Sequence, residues 1–287
     1  MKRKKKWLSV MLCFAVLAIM AAGCSTETAG DNTDNSSNVT TTIEEQVLFR
    51  QKKIAVTATE YVTDSIQGDG IKLLLENNSD KDMTIGCTAL IVNDYMIKKN
   101  MFVSEVDAGK QANEVLYLSS TQLKEAGIEN VGKVEIYFNG YESATLSGYF
   151  DVKCVTIQTS EFANMDTTPN DEGSELYNEG GIRIVGKVVD ENSFWGTAVL
   201  LYCENNSGKN VEISVDDMSI NGFIVTPIFT TTIYDGKKAI DAIEVFSGNS
   251  EENEIKTIEE VKLNFHIYDV DAFSTIAYTD FITFSAQ

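Results

Sequence analysis

The chain contains an internal duplication of more than a hundred residues, and this feature limits its possible folds more than any other. The segment Leu73–Lys81, LLLENNSDK, recurs 128 positions later at Leu201–Lys209 as LYCENNSGK. After a gap of one residue the match continues at a spacing of 127, so that residues 54–158 align with residues 182–285. Solenoid repeats are only about 20–50 residues long, so a repeat of this length has the size of a domain. The sequence therefore predicts two similar domains in tandem.

Both halves show the two-residue alternation that is typical of half-buried strands. Apolar residues occupy every second position over 261–267, for example. The pairs Asn93-Asp94 and Asn221-Gly222 separate such runs and predict tight hairpins, because both central residues of a type I′ turn need positive φ. About seven short strands per hundred residues is typical of an antiparallel β-sandwich. We therefore predict an all-β chain of two immunoglobulin-like antiparallel β-sandwiches, with a β-barrel as the alternative.

Composition divides the chain into five predicted segments. They are a signal peptide (1–23), an acylated cysteine with a flexible linker (24–45), a first sandwich (46–158), a second linker (159–178) and a second sandwich (179–287). Both linkers are rich in small polar residues. Neither residues 25–45 nor residues 159–178 contain Lys or Arg. One helix is predicted inside the sandwiches, over Ser120–Ala126 with Gly127 as its stop, while the counterpart Ser247–Glu254 predicts at most one turn.

The first 24 residues have the three-part layout of an export signal. Five Lys and Arg residues over 2–6 precede the apolar stretch Trp7–Met20, which is shorter than the about 20 residues of a membrane-spanning helix. The following Ala21-Ala22-Gly23-Cys24 resembles a bacterial lipobox, although Leu is commoner at the position of Ala21. This resemblance implies cleavage before Cys24, acylation of that cysteine and attachment to the extracytoplasmic face of the cell membrane.

Three features of the repeats also resemble a family. These are the duplicated Glu-Asn-Asn-Ser turn (76–79 and 204–207), the Gly-Lys turn (109–110 and 236–237) and the late strand with Phe138 and Phe265. Together they are similar to immunoglobulin-like domains of unknown function on lipoproteins of Gram-positive anaerobes. The resemblance covers both repeats and implies a fold and a location, but it carries no catalytic residue.

Charge and residue types argue against several classes of function. A net charge of −20 would repel a phosphate backbone, so we expect no nucleic-acid partner. The single histidine, His266, cannot form a multi-His metal site and is predicted to be an exposed strand residue. No glycine-rich phosphate loop is present in the sequence. We therefore predict no enzymatic activity, no cofactor and no metal site.

The remaining cysteines and the acidic clusters each leave an alternative open. Cys87, Cys154 and Cys203 align with apolar residues of the other repeat, which favours core positions, although a disulfide between Cys87 and Cys154 is possible. Acidic clusters such as Asp269-Val270-Asp271 offer oxygen ligands to calcium, but none has the spacing of an EF-hand loop. We interpret them as solvated surface.

These observations favour a binding, adhesion or structural module whose partner is a glycan or protein of the cell envelope. The aromatic pair Phe194-Trp195 is the predicted ligand contact, because aromatic side chains on a loop can stack on sugars or anchor a protein. Residues 179–287 carry a net charge of −11 against −4 for residues 46–158, which favours the second repeat as the interaction surface. The alternatives are a secreted hydrolase with dispersed carboxylates and the solute-binding component of a transporter.

Overall fold

The computed structural model describes residues 40–98, 102–152, 154–189, 198–245, 255 and 257–285. The predicted acylation site Cys24, the predicted ligand contacts Phe194 and Trp195, and the segment Ser247–Glu254 lie outside these residues. Antiparallel strands dominate the described part of the chain, in which a single α-helix occurs. The all-β prediction is therefore confirmed.

The first repeat contributes ten strands and the α-helix to the described residues. The strands are β1 (Gln46–Gln51), β2 (Ile54–Asp64), β3 (Gly68–Asn77), β4 (Met83–Val92), β5 (Tyr95–Met96), β6 (Val103–Val106), β7 (Gln111–Tyr117), β8 (Lys133–Glu142), β9 (Gly148–Asp151) and β10 (Val155–Gln158). The helix α1 (Ser120–Glu125) forms where it was predicted. Gly127 follows it with a φ of 72°, a conformation that favours glycine and stops the helix.

The second repeat contributes eleven described strands. They are β11 (Ser174–Glu179), β12 (Ile182–Val189), β13 (Ala198–Asn205), β14 (Val211–Ile220), β15 (Phe223–Val225), β16 (Pro227–Ile228), β17 (Thr230–Ile233), β18 (Lys237–Val245), β19 (Glu260–Asp269), β20 (Ser274–Tyr278) and β21 (Ile282–Ser285). Strand β11 lies largely inside the segment 159–178 that was predicted as a linker. It is ordered there because Leu176 is buried in the second hydrophobic core. A short 3₁₀ helix, Phe162–Asn164, precedes it.

Each repeat places a four-stranded sheet over a second antiparallel group of strands. In the first repeat the order β1-β2-β3-β7 faces β10-β8-β4, with β6 and β9 at its margins. In the second repeat β11-β12-β13-β18 faces β15-β14-β19-β20, with β17 and β21 at its margins. One hydrophobic core fills each sandwich, and the matching residues Phe138 and Phe265 are fully buried in the two cores. The alternating apolar side chains of each strand therefore point to the inner face of its sheet.

The duplicated Asn-Asn-Ser turns hold the strands together through a buried asparagine. The side-chain amide of Asn205 donates to the carbonyls of Lys209 at 2.7 Å and Ile233 at 2.8 Å. Its oxygen accepts from the backbone N–H of Ser207 at 3.1 Å and from the Ser207 hydroxyl at 2.7 Å. Asn77 makes the same set of contacts in the first repeat, and both asparagines are 0% exposed. The motif is therefore a buried polar clamp that ties a turn to a neighbouring strand.

The predicted hairpins at 93–94 and 221–222 also form as expected. Asn93 and Asp94 have φ of 47° and 68°, and Asn221 and Gly222 have φ of 52° and 82°. The side chains of Asn93 and Asn221 also tie the turns to β8 and β19. In each case the side-chain oxygen accepts two backbone N–H groups at the start of that strand, and the side-chain amide donates to a backbone carbonyl that precedes it. Asparagine suits these positions because it tolerates left-handed φ and bonds the backbone.

A contact between the repeats makes one continuous sheet out of two. Strand β5 pairs in parallel with β18 at Tyr95 and Lys238, which joins the second sheet of the first repeat to the first sheet of the second. Beside this pairing, Lys237 Nζ lies 2.7 Å from Asp94 Oδ1 and 2.6 Å from Glu135 Oε2. Burial opposes ionisation of Asp94, but hydrogen bonds and charge from Lys133 and Lys237 outweigh it and lower the pKa of Asp94.

Candidate functional site

The described cysteines occupy three different environments. Cys87, Cys154 and Cys203 are all free thiols, so Cys87 and Cys154 form no disulfide in this structure. Cys203 is fully buried in the second core and Cys87 packs against the first. Cys154 instead lies half-buried beside Glu135, 3.7 Å from its Oε1. Its counterpart Phe281 is itself 54% exposed, so alignment with an apolar residue did not indicate a core position there.

A cleft of about 230 Å³ lies between the repeats and contains one of these thiols. It is lined by Cys87, Thr88, Lys98 and residues 230–232, among others. Burial raises the pKa of the Cys87 thiol to about 11, although hydrogen bonding to backbone carbonyls opposes this shift. A thiol that stays protonated near neutral pH is a poor nucleophile, so we do not assign a nucleophilic role to Cys87 in this cleft.

The acidic residue Asp269 takes part in the fold. Its Oδ1 accepts the backbone N–H groups of Asp271 at 3.1 Å and Ala272 at 2.8 Å, and its Oδ2 lies 3.0 Å from Lys209 Nζ. These interactions, led by the hydrogen bond from Ala272, lower the pKa of Asp269. Glu142 pairs with Lys81 at the matching place in the first repeat, at 2.6 Å. Within the described ranges, no group of three or more His, Cys, Asp or Glu side chains is placed to hold a metal ion.

The outer face of the second repeat presents a cluster of partly exposed aromatic rings. Strand β19 directs Val261, Leu263 and Phe265 into the core, so the intervening side chains point to the opposite face. His266 and Tyr268 lie on that outer face together with Tyr278 from β20, and Phe281, three residues after Tyr278, has its ring 4.9 Å from Lys262 Nζ. We call these four rings, His266, Tyr268, Tyr278 and Phe281, the aromatic face.

The rings of the aromatic face are ordered by the register of the strands. His266 and Tyr278 are directly opposite each other on β19 and β20, and their rings stack with centroids 4.1 Å apart and planes at 10°. Tyr268 meets the imidazole edge to face at 6.0 Å. Tyr278 is 63% exposed and Phe281 is 54% exposed, so large parts of both rings are open to a ligand.

Polar groups surround these rings. The Thr275 hydroxyl lies 3.0 Å from His266 Nε2. On the other side of β19, Ser214 is the strand partner of His266 and Glu212 is the strand partner of Tyr268. Aromatic surface beside hydroxyl and carboxylate groups can contact a ligand that has both an apolar face and hydrogen-bonding groups.

The aromatic face is specific to the second repeat. Asn139 and Asp151 are paired across β8 and β9 at the positions that correspond to His266 and Tyr278. The common fold therefore does not require the ring stack. The alternation along β19 predicts an exposed His266 but does not indicate its stacking partner Tyr278. Alternation within one strand indicates which way a side chain points, whereas this pair depends on how β20 aligns with β19.

Comparison with known proteins gives little further information. No protein-family model matches the chain, and no curated protein matches it. A crystal structure of the YadV chaperone is similar with a TM-score of 0.25 and 12% sequence identity, over 81% of this chain and 99% of that one. A TM-score this low carries no information about function. In the part of the chain that the structure describes, no helix has the length and hydrophobicity needed to cross a bilayer.

Proposed function

We propose that the protein is a non-enzymatic binding module on the extracytoplasmic face of the cell membrane, anchored by lipid on Cys24, and that its aromatic face binds a carbohydrate polymer of the cell envelope. The observation that carries the ligand class is the exposed stack of His266 and Tyr278 on an open sheet face. The location rests on the basic end, the apolar core and the Ala-Ala-Gly-Cys sequence of residues 2–24.

A polysaccharide fits the shape and chemistry of this face. Pockets for small molecules enclose most of the ligand surface, whereas the aromatic face lies on the outer side of a sheet. A polymer can lie along such a face and gain contact from several sugar units at once. The apolar faces of sugars would pack on Tyr278 and Phe281, while Glu212, Ser214 and Thr275 would bond their hydroxyl groups.

The binding test uses purified envelope polysaccharide and the purified protein. Tyr278→Ala should weaken binding about fivefold, because one aromatic contact is worth about 1 kcal/mol. The matched control is Asp151→Ala, which changes the corresponding position of the first repeat and should leave the affinity unchanged. Tyr278 is 63% exposed, so its removal should leave the melting temperature nearly unchanged. Equal affinity for the wild type and Tyr278→Ala, or no binding by the wild type, would contradict the proposed ligand site.

Two further variants test the predictions that lie outside the described residues. Trp195→Ala should also weaken polysaccharide binding if the pair Phe194-Trp195 contacts the same ligand, and unchanged binding would remove that pair from the site. Labelling cells with a radioactive fatty acid should mark the wild type and not Cys24→Ser. Equal labelling of the two proteins would exclude the proposed anchor.

A further inference from the structure

The hairpin 93–97 of the first repeat packs against the second repeat and pairs with one of its strands. Tyr95 is only 4% exposed and packs against apolar residues of the second repeat, Met96 packs against the core of that repeat, and Ile97 is buried in the core of the first repeat. Strand β5 pairs with the edge strand β18, where the N–H of Lys238 donates to the Asp94 carbonyl at 2.9 Å. We call the hairpin 93–97 the first plug.

The surface of the second repeat that receives the first plug combines a sheet edge with an apolar outer face, and we call it the first socket. Strand β18 supplies the edge, and Val185, Tyr202 and Ile240 cluster with Tyr95 of the first plug. Lys98 Nζ also lies 3.1 Å from Asp241 Oδ2 across the contact. The interface within one chain therefore uses backbone pairing, apolar packing and ion pairs together.

The duplication supplies a second plug that is left open. The hairpin 221–225 has the same turn geometry as the first plug, and Phe223 and Ile224 occupy the positions of Tyr95 and Met96. Phe223 is 47% exposed and Ile224 is 84% exposed. In the first repeat, Tyr95 and Met96 at these positions pack against residues of the second repeat. We call the hairpin 221–225 the second plug.

The duplication also supplies a second socket. Strand β7 is the counterpart of β18, and among the described strands it pairs on one side only, with β3. An unpaired edge strand offers N–H and C=O groups to another strand. The outer face beside it has the half-buried Leu74 at the position of Tyr202, and Val47 next to it is 50% exposed, whereas Thr57, at the position of Val185, is only 6% exposed and lies beneath this surface. We call this region, Val47, Leu74 and β7, the second socket.

We propose that the second plug of one molecule docks into the second socket of another copy of the same chain, with Phe223 beside Gln111 as Tyr95 lies beside Lys238. The plug and the socket are different surfaces, so each bound copy leaves one of each free. Such a heterologous contact does not saturate at a dimer unless a ring closes. The protein therefore forms head-to-tail chains in which the contact inside each molecule is repeated between molecules.

The contact between copies is weaker than the contact within one chain. Lys110 stands at the position of Lys237, but Gly222 replaces Asp94 and Lys262 replaces Glu135. Glu260 is the acid that remains to meet these two lysines, so the ion-pair network loses a carboxylate. Apolar packing of Phe223 and Ile224 therefore provides most of the binding energy, and the assembly is reversible.

Cysteine cross-linking of the full chain in its membrane tests this proposal. The variant Gln111→Cys, Phe223→Cys places thiols at positions that match a strand pair, a separation that a disulfide can span. Mild oxidation should give a ladder of dimers, trimers and larger species. Tyr95→Cys, Lys238→Cys is the matched control, because these residues are paired within one chain and should cross-link without a ladder. The wild type reports the background from its own cysteines.

Two further comparisons separate a specific contact from collision. Each single cysteine variant alone should give no product above background, whereas the two expressed together should give dimers. Adding Ile224→Asp to the double variant should lower the cross-linked fraction about tenfold or more, since a charge replaces a buried apolar side chain. Ile66→Asp, at a side chain that is 87% exposed, should have no effect. The absence of a ladder, equal cross-linking by either single variant, or a ladder that persists with Ile224→Asp would overturn the proposal.

Discussion

Replacing Asn205 by alanine should destabilise the protein strongly, because this side chain is 0% exposed and all its hydrogen-bonding groups have partners. The change removes two donated and two accepted hydrogen bonds that involve Lys209, Ile233 and Ser207. At about 1 kcal/mol for each bond the loss is about 4 kcal/mol, and a buried carbonyl left without a donor adds to it. We expect the free energy of unfolding to fall by about 3–5 kcal/mol.

Urea unfolding followed by far-ultraviolet circular dichroism measures this loss. Asn206→Ala is the matched control, because the neighbouring side chain is exposed and donates to Glu204 Oε1 at 3.0 Å. Its removal should change the stability by less than about 0.5 kcal/mol. Asn77→Ala should behave like Asn205→Ala, since the first repeat has the same clamp. Similar unfolding midpoints for Asn205→Ala and Asn206→Ala would refute the assignment of Asn205 as a buried clamp.

Three further predictions concern the contact between repeats, a buried thiol and a tight packing position. Lys237→Met should cost about 1.5–3 kcal/mol at pH 7. Because the pKa of Asp94 is lowered in the folded protein, ionised Asp94 stabilises the fold fully above the ordinary carboxyl pKa. This stabilisation is lost as the pH falls through the lowered pKa. The urea midpoints at about pH 7 and pH 3 should therefore differ less in Lys237→Met than in the wild type. Burial raises the pKa of Cys203, so iodoacetamide should label it only after unfolding, and peptide mapping that finds it labelled in the native protein would contradict its burial. Gly140→Ala should lower stability by about 1–3 kcal/mol in the same urea assay, because its Cβ would overlap the Phe150 ring; an unchanged midpoint would show that the ring moves freely.

Several elements of the fold could be predicted from local pattern because their causes are local. The hairpins at 93–94 and 221–222 follow from residues that tolerate positive φ. The helix α1 ends near Gly127 for the same kind of reason. The strands follow from a period of two in apolar side chains. In the Asn-Asn-Ser motif the sequence indicated a turn, but the bonds of Asn205 to Ile233, 28 residues away, appear only in the folded chain.

The candidate site was much less accessible from the sequence. His266 was predicted to be an exposed strand residue, and its place on the outer face of β19 agrees with that. Its partner Tyr278 is set by the pairing of β19 with β20, which shifts register between Ile267 and Tyr268. A single irregularity of this kind changes which side chains are opposite each other, and alternation along one strand contains no information about it.

The sequence by itself determined that the described chain is all-β, that its two halves share one pattern, and where the main hairpins turn. These properties depend on residues that are neighbours in the chain, or on a comparison of one half with the other. Only the tertiary structure decided that Asp94 meets Lys237, 143 residues away, and that Phe223 stays exposed where Tyr95 is covered. The physical reason is that packing between surfaces depends on how complete sheets are placed in space, so two hairpins with the same turn geometry can have different surroundings.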